Sequence, residues 1–128
     1  MRKIIMITLM LLVTIGYASA QKQARIEYDK TVYNFGEFSV KDAVRKCTFV
    51  ITNVGDAPLV LHQVLPSCGC TVADYTKTPI KPGEKGKIEV TYNGARNKAG
   101  HFKKGITVRS NAYEEMTRIY IEGDMTEE

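Results

Sequence analysis

Two cysteines one residue apart, Cys68 and Cys70, joined by Gly69 and preceded by Pro66-Ser67, are the residues of this chain whose type and spacing point most directly to chemistry. A tight loop of this kind brings both sulfurs within reach of one metal ion or one incoming partner. Pro66, Ser67, Cys68, Gly69, Cys70 and Thr71 therefore form the candidate thiol or interaction loop.

Four readings of that loop are open. In a structural one, Cys68 or Cys70 pairs with Cys47 in an oxidising compartment. If the strands around Cys47 and His62 form a hairpin turning near Gly55, Cys47 lies opposite Gln63 or Val64, and Cys68 falls about 15 Å further along. A disulfide needs Cα atoms within roughly 7 Å, so the chain would have to fold back at Pro66 or the two strands would have to sit in different sheets. Cys47 shares a strand face with Phe49 and Ile51, and a buried, inert thiol is its better reading. In a redox reading Cys68 and Cys70 pair with each other in a ring so small that it is easily reduced, which suits exchange. In a metal reading Cys68 and Cys70 are thiolate ligands for copper(I) or zinc, with His62 near enough in sequence to contribute. The fourth and leading reading packs both as small, partly buried side chains beneath a loop that binds another protein, with no cofactor.

Other reactive groups are sparse. His62 and His101 are the two histidines. On strict alternation His62 shares a face with Val60 and Val64 as a tolerated strand residue, and His101, after Gly100, reads as a surface residue. No G-x-S-x-G elbow presents a nucleophile, and Glu114-Glu115 falls in a hairpin connection as solvated charge. The pattern offers no catalytic constellation.

The elements that must position the loop are short strands. From Arg25 onward, apolar and β-branched residues recur in brief runs separated by Gly, Pro, Asn and Asp, without helical spacing. Strands are predicted over Arg25 to Tyr28, Thr31 to Phe35, Ala43 to Thr52, Pro58 to Val64, Gly86 to Tyr92, His101 to Arg109 and Met116 to Glu122. Seven strands at this spacing predict an all-β, immunoglobulin-like sandwich. Cys47, Phe49 and Ile51 alternate with Lys46, Thr48 and Val50, and Ile88 and Val90 alternate with Lys87 and Glu89, so each strand buries one side. Asn53-Val54-Gly55-Asp56, Lys81-Pro82-Gly83-Glu84 and Asn93-Gly94 are turn chemistry. Thr126-Glu127-Glu128 reads as a frayed end.

Residues 1–20 carry Arg2 and Lys3, an apolar run from Ile4 to Ile15 and a closing Ala18-Ser19-Ala20, the pattern of a cleaved secretory signal. The run is well short of the roughly 20 residues of a spanning helix. Export to a periplasm or beyond is expected, with one domain over 21–128 and no membrane span after cleavage. Cleavage lowers the net charge from +4 to +2 by removing Arg2 and Lys3, which lends no support to nucleic-acid binding.

Five segments occur in order: Tyr33-Asn34-Phe35-Gly36-Glu37, Phe49-Val50-Ile51-Thr52-Asn53-Val54-Gly55, Ser67-Cys68-Gly69-Cys70-Thr71, Pro79-Ile80-Lys81-Pro82-Gly83-Glu84 and Val108-Arg109-Ser110-Asn111. Together they resemble the bacterial family catalogued as domain of unknown function 1573, from about Ile26 to Asp124. The resemblance implies an exported immunoglobulin-like sandwich related in shape to major sperm protein and chaperone-type domains, common in Bacteroidetes. It implies no activity. The function expected is that of a non-enzymatic interaction module for another envelope or secreted protein, with copper, zinc or thiol-redox handling at the Cys-Gly-Cys loop as the alternative.

Overall fold

The computed structural model describes residues 22–128, so the signal segment expected over 1–20 lies outside the described residues. Eight strands follow one another: β1 (Ile26–Tyr28), β2 (Val32–Ser39), β3 (Val44–Asn53), β4 (Leu61–Pro66), β5 (Thr71–Tyr75), β6 (Lys85–Asn93), β7 (Gly100–Ser110) and β8 (Met116–Thr126), with a 3-10 turn over Val40–Asp42 between β2 and β3. They form two four-stranded sheets, in the orders β1-β3-β6-β5 and β2-β8-β7-β4. The all-β sandwich expected from the alternation is what the chain forms.

Its core is the meeting of two inward faces. Phe49, Ile51, Ile88, Val90 and Tyr92 come from the first sheet and Ile106, Val108, Ile119 and Ile121 from the second, and all are buried. Burying one such side chain contributes roughly 1.5–3 kcal/mol. Toward one end the filling turns aromatic: Tyr92 stacks on Phe102 with ring centroids 4.2 Å apart, and Phe38 meets both rings edge-on. The motif Asn34-Phe35-Gly36 makes a bulge in β2, where the register against β8 shifts between Asn34 and Glu37. Gly36 takes φ of 71° there, a left-handed conformation that glycine adopts without a Cβ penalty, and its N–H donates to Asn34 Oδ1 at 2.7 Å.

Several sequence expectations need correction. The supposed hairpin of β3 with β4 does not form, because β3 pairs with β1 and β6 while β4 crosses to the other sheet and pairs with β7. The strand expected at Pro58 starts at Leu61, because Leu59 bridges to Ile80 and its neighbours are held by Asn111: Val60 N–H donates to Asn111 Oδ1, and Asn111 Nδ2 donates to the Pro58 carbonyl. Thr126 is no frayed end, since it closes β8 opposite Ser39. An eighth strand, β5, forms where the alternation predicts none. Its alternation is inverted in polarity at its first two residues, Thr71 buried and Val72 66% exposed, and ordinary in the rest, with Ala73 and Tyr75 half-buried and Asp74 facing solvent.

Candidate interaction site at the thiol loop

The loop is where the chain passes from one sheet to the other. Pro66 ends β4 opposite Ile106, and Ser67 N–H donates to the Gly105 carbonyl at 3.0 Å, the last bond to the second sheet. Thr71 N–H then donates back to the Cys68 carbonyl at 3.2 Å, closing a turn, and Asn93 N–H donates to the Cys70 carbonyl at 2.9 Å, which ties the chain into the first sheet. Ser67 and Gly69 are exposed, Pro66, Cys68 and Cys70 half-buried, and Thr71 buried at the start of β5.

Within this turn Cys68 and Cys70 are joined as a disulfide, with Cα atoms 5.2 Å apart. Of the two pairings weighed from sequence, the structure makes the local one. Cys70 N–H donates to Cys68 Sγ at 3.1 Å, and Cys70 Sγ lies 3.7 Å from the Thr71 hydroxyl. An open groove of about 620 Å³ runs beside the pair, lined also by Val44, Val72, Asn93 and Arg96. Val44 and Val72 are 44% and 66% exposed there, unusual for large apolar side chains gathered in one place. Arg96 is the only charged side chain among the lining residues. Nothing in the local sequence of the loop pointed to Val44 or Arg96, which reach it from the start of β3 and from the β6–β7 connection.

Cys47 stays apart as a free, buried thiol on β3 opposite Val90. Burial pushes this thiol up from its ordinary 9.0 to about 11, with Lys30 pulling weakly the other way. The neutral form is the one the fold accommodates, so its contribution to stability is complete below pH 9 and is lost as pH rises from there to about 11. Two pH units of linkage correspond to about 2–3 kcal/mol. Alkaline unfolding should therefore lose that limb in Cys47→Ala, measured by denaturant midpoints between pH 8 and 11; unchanged pH dependence would mean that the thiol does not set it. Native alkylation near neutral pH should spare Cys47.

The histidines lie elsewhere. A register shift in β4 between Leu61 and Gln63 breaks the alternation, so His62 is exposed while Val64 is buried, and they do not share a face as expected. His62 lines a separate groove with Gln63, Arg109 and Glu115, away from the sulfurs it was expected to assist as a metal ligand. Copper or zinc held by Cys68 and Cys70 would require the reduced, thiolate pair. Among the described residues, no three His, Cys, Asp or Glu side chains converge as a metal site. His101 is exposed, as expected, with Nδ1 3.0 Å from Asp124 Oδ1 and Nε2 3.8 Å from Glu122 Oε2. Carboxylates stand on both sides of the ring, which is not the acid-base-nucleophile order of a triad. Among the described residues no helix is long and apolar enough to cross a membrane.

Residues 26–125 match the family described as protein of unknown function DUF1573. The chain belongs to that family. Solved structures share the fold of this DUF1573 chain. A protein of unknown function from Porphyromonas gingivalis W83 is similar with a TM-score of 0.72 at 22% identity, over 84% of this chain and 50% of that one. The DUF1573 chain thus spans half the length of that structure. A PapD-like domain of human CEP192 is similar with a TM-score of 0.65 at 10% identity, over 88% of this chain and 93% of that domain. The periplasmic chaperone SfaE is similar with a TM-score of 0.59 at 9% identity, over 79% of this chain and 58% of that one. No curated protein matches the chain significantly. At these identities the likeness concerns the sandwich, not its use.

Proposed function

We propose that this protein is a non-enzymatic interaction module, exported to the periplasm or beyond, that holds an extended segment of another envelope or secreted protein along edge strand β5 beside the thiol loop. The observation that carries this reading is the state of the sheet edges. A sandwich of two open sheets has four edge strands, here β1, β5, β2 and β4, and unguarded edges attract foreign strands. Three of them are blunted: β1 is three residues long, β2 is bulged at Gly36, and β4 is bulged at its start and ends in Pro66. β5 runs in unbroken register against β6 from Thr71 to Tyr75.

Its free groups follow from the ladder. Cys70 and Thr76 both bond toward β6, to Asn93 and Lys87, and antiparallel pairs alternate between bonded and unbonded. Val72 and Asp74 therefore bond inward to β6; of the outward-facing residues, Thr71 and Tyr75 already give their N–H to the Cys68 carbonyl and to Asp74 Oδ1, and Ala73 directs its N–H and C=O out from the edge. Addition of a strand uses such groups for affinity and neighbouring side-chain pockets for selectivity. The likeness to a periplasmic chaperone and a PapD-like domain and the secretory pattern of residues 1–20 support the reading.

Ala73→Pro tests it, since proline is tolerated where an edge N–H faces outward and removes the donor that an added strand would use. The mature protein, immobilised in envelope extract, should retain a reproducible partner about tenfold better than Ala73→Pro does, the worth of roughly one lost backbone bond. The variant's own thermal midpoint should move by only a few degrees. Equal retention by both proteins, or no partner retained by either, would count against the strand-edge reading.

A further inference from the structure

The edge of β5 leaves the disulfide beside it without a task. We propose that the Cys68–Cys70 disulfide is a thiol–disulfide exchange site, which accepts the thiol of a dithiol-bearing protein segment laid along β5. This rests on the strand-edge reading for the identity of the partner, but not for the chemistry.

Position is the first support. β5 starts at Thr71, directly after Cys70, so a segment added to that edge runs past the sulfurs. The groove that the sulfurs help to line is also lined by the exposed Val44 and Val72 and by a single charged residue, Arg96, and a cation in the groove favours an incoming thiolate. Polarity is the second support. Cys70 N–H donates to Cys68 Sγ at 3.1 Å, whereas the contact of Cys70 Sγ with the Thr71 hydroxyl is 3.7 Å. A backbone donor fixed on one sulfur stabilises negative charge there, and the better-stabilised thiolate leaves faster. Cys68 is thus the leaving group and Cys70 the sulfur attacked.

The partner's thiolate forms a bond to Cys70 Sγ as the Cys68–Cys70 bond breaks, and the electron pair departs with Cys68 as a thiolate. The partner's second thiol, having given its proton to solvent, attacks the partner sulfur of that mixed disulfide and releases Cys70 as a thiolate. Both protein thiolates then take up protons. The partner dithiol loses two electrons and two protons in becoming a disulfide, and the Cys68–Cys70 pair gains them as two thiols. Cys47, buried on β3, takes no part and serves as an internal control.

Reduced glutathione is the probe for the chemistry. Folded mature protein is mixed with it, quenched rapidly in acid and mapped by peptide mass. Adducts should form on Cys70 in at least about tenfold excess over Cys68, the worth of one hydrogen bond to a charged sulfur, with none on Cys47. Equal adducts, an excess on Cys68, or no adduct until the chain is denatured would overturn the exchange site. The same result is expected in Ala73→Pro, so failure of the strand-edge reading leaves this test intact. A short alternating valine–threonine peptide bearing one cysteine tests the partner class. It should react about tenfold faster than glutathione with the native chain, and lose that advantage in Ala73→Pro. No such advantage would overturn the β5-bound partner, while the glutathione mapping would still decide the chemistry.

Discussion

Asn53→Asp should destabilise the protein by about 4 kcal/mol, a large share of the 5–15 kcal/mol typical of a domain. Asn53 is fully buried at the end of β3. Its Nδ2 donates to the Ala57 carbonyl at 2.7 Å and to the Ile80 carbonyl at 2.9 Å. Its Oδ1 accepts from Gly55 N–H at 3.0 Å and from Arg25 N–H at 3.4 Å. Aspartate keeps the acceptor but sets a second oxygen against two carbonyls, where only a donor is tolerated. The fold then either buries a charge facing like dipoles or protonates the carboxyl and satisfies one carbonyl of two. Because the fold favours the protonated form, the deficit should grow as pH rises through the ordinary carboxylate range and shrink in acid. Urea midpoints at acid and neutral pH measure this, and a wild-type midpoint at neutral pH would show that the amide is dispensable.

Gly55→Ala should cost about 3 kcal/mol by a different route, the detachment of the N-terminal segment. A Cβ at position 55 would overlap the Gln23 carbonyl oxygen and stand 2.5 Å from Arg25 N and 2.8 Å from the Ala24 carbonyl carbon. All three are backbone atoms, so no side chain can swing aside. What holds that segment is considerable: Ala24 is buried, Val54 N–H donates to the Arg25 carbonyl, Asp56 N–H to Gln23 and Tyr113 N–H to Ala24. Hydrogen exchange should show the amides of Val54, Asp56 and Tyr113 losing protection while Ile106 and Ile119 in the second sheet keep theirs. Uniform loss of protection would instead mean that the substitution unfolds the chain as a whole.

These positions show how far the residues themselves can be read. Asn53-Val54-Gly55-Asp56 announces a turn by composition, and a turn is there. That Asn53 also ties together Arg25, Ala57 and Ile80 is invisible in sequence, because those partners lie 28, 4 and 27 positions away. Strict alternation places His62 on the face of Val64, and one bulge in β4 moves it out of register with that residue. β5 is not legible in sequence because it is short and begins with a polar residue inward, Thr71, and an apolar one outward, Val72, the reverse of what burial usually selects, which leaves only Ala73, Asp74 and Tyr75 in the ordinary alternation.

Local residue types determined the class of fold, since a period of two in β3 and β6, interrupted by Gly, Pro and Asn turns, is compatible with strands buried on one side and with little else. They also marked the Cys68-Gly69-Cys70 loop as the place where chemistry is possible. The tertiary structure alone decided which strands are neighbours, that β3 and β4 part company into different sheets, that Cys68 pairs with Cys70 and not Cys47, and that Val44 and Arg96 join them in one groove. The reason is physical: alternation is a property of a single strand and is the same for every partner, whereas pairing and the chemistry of an edge depend on contacts between segments far apart in the chain.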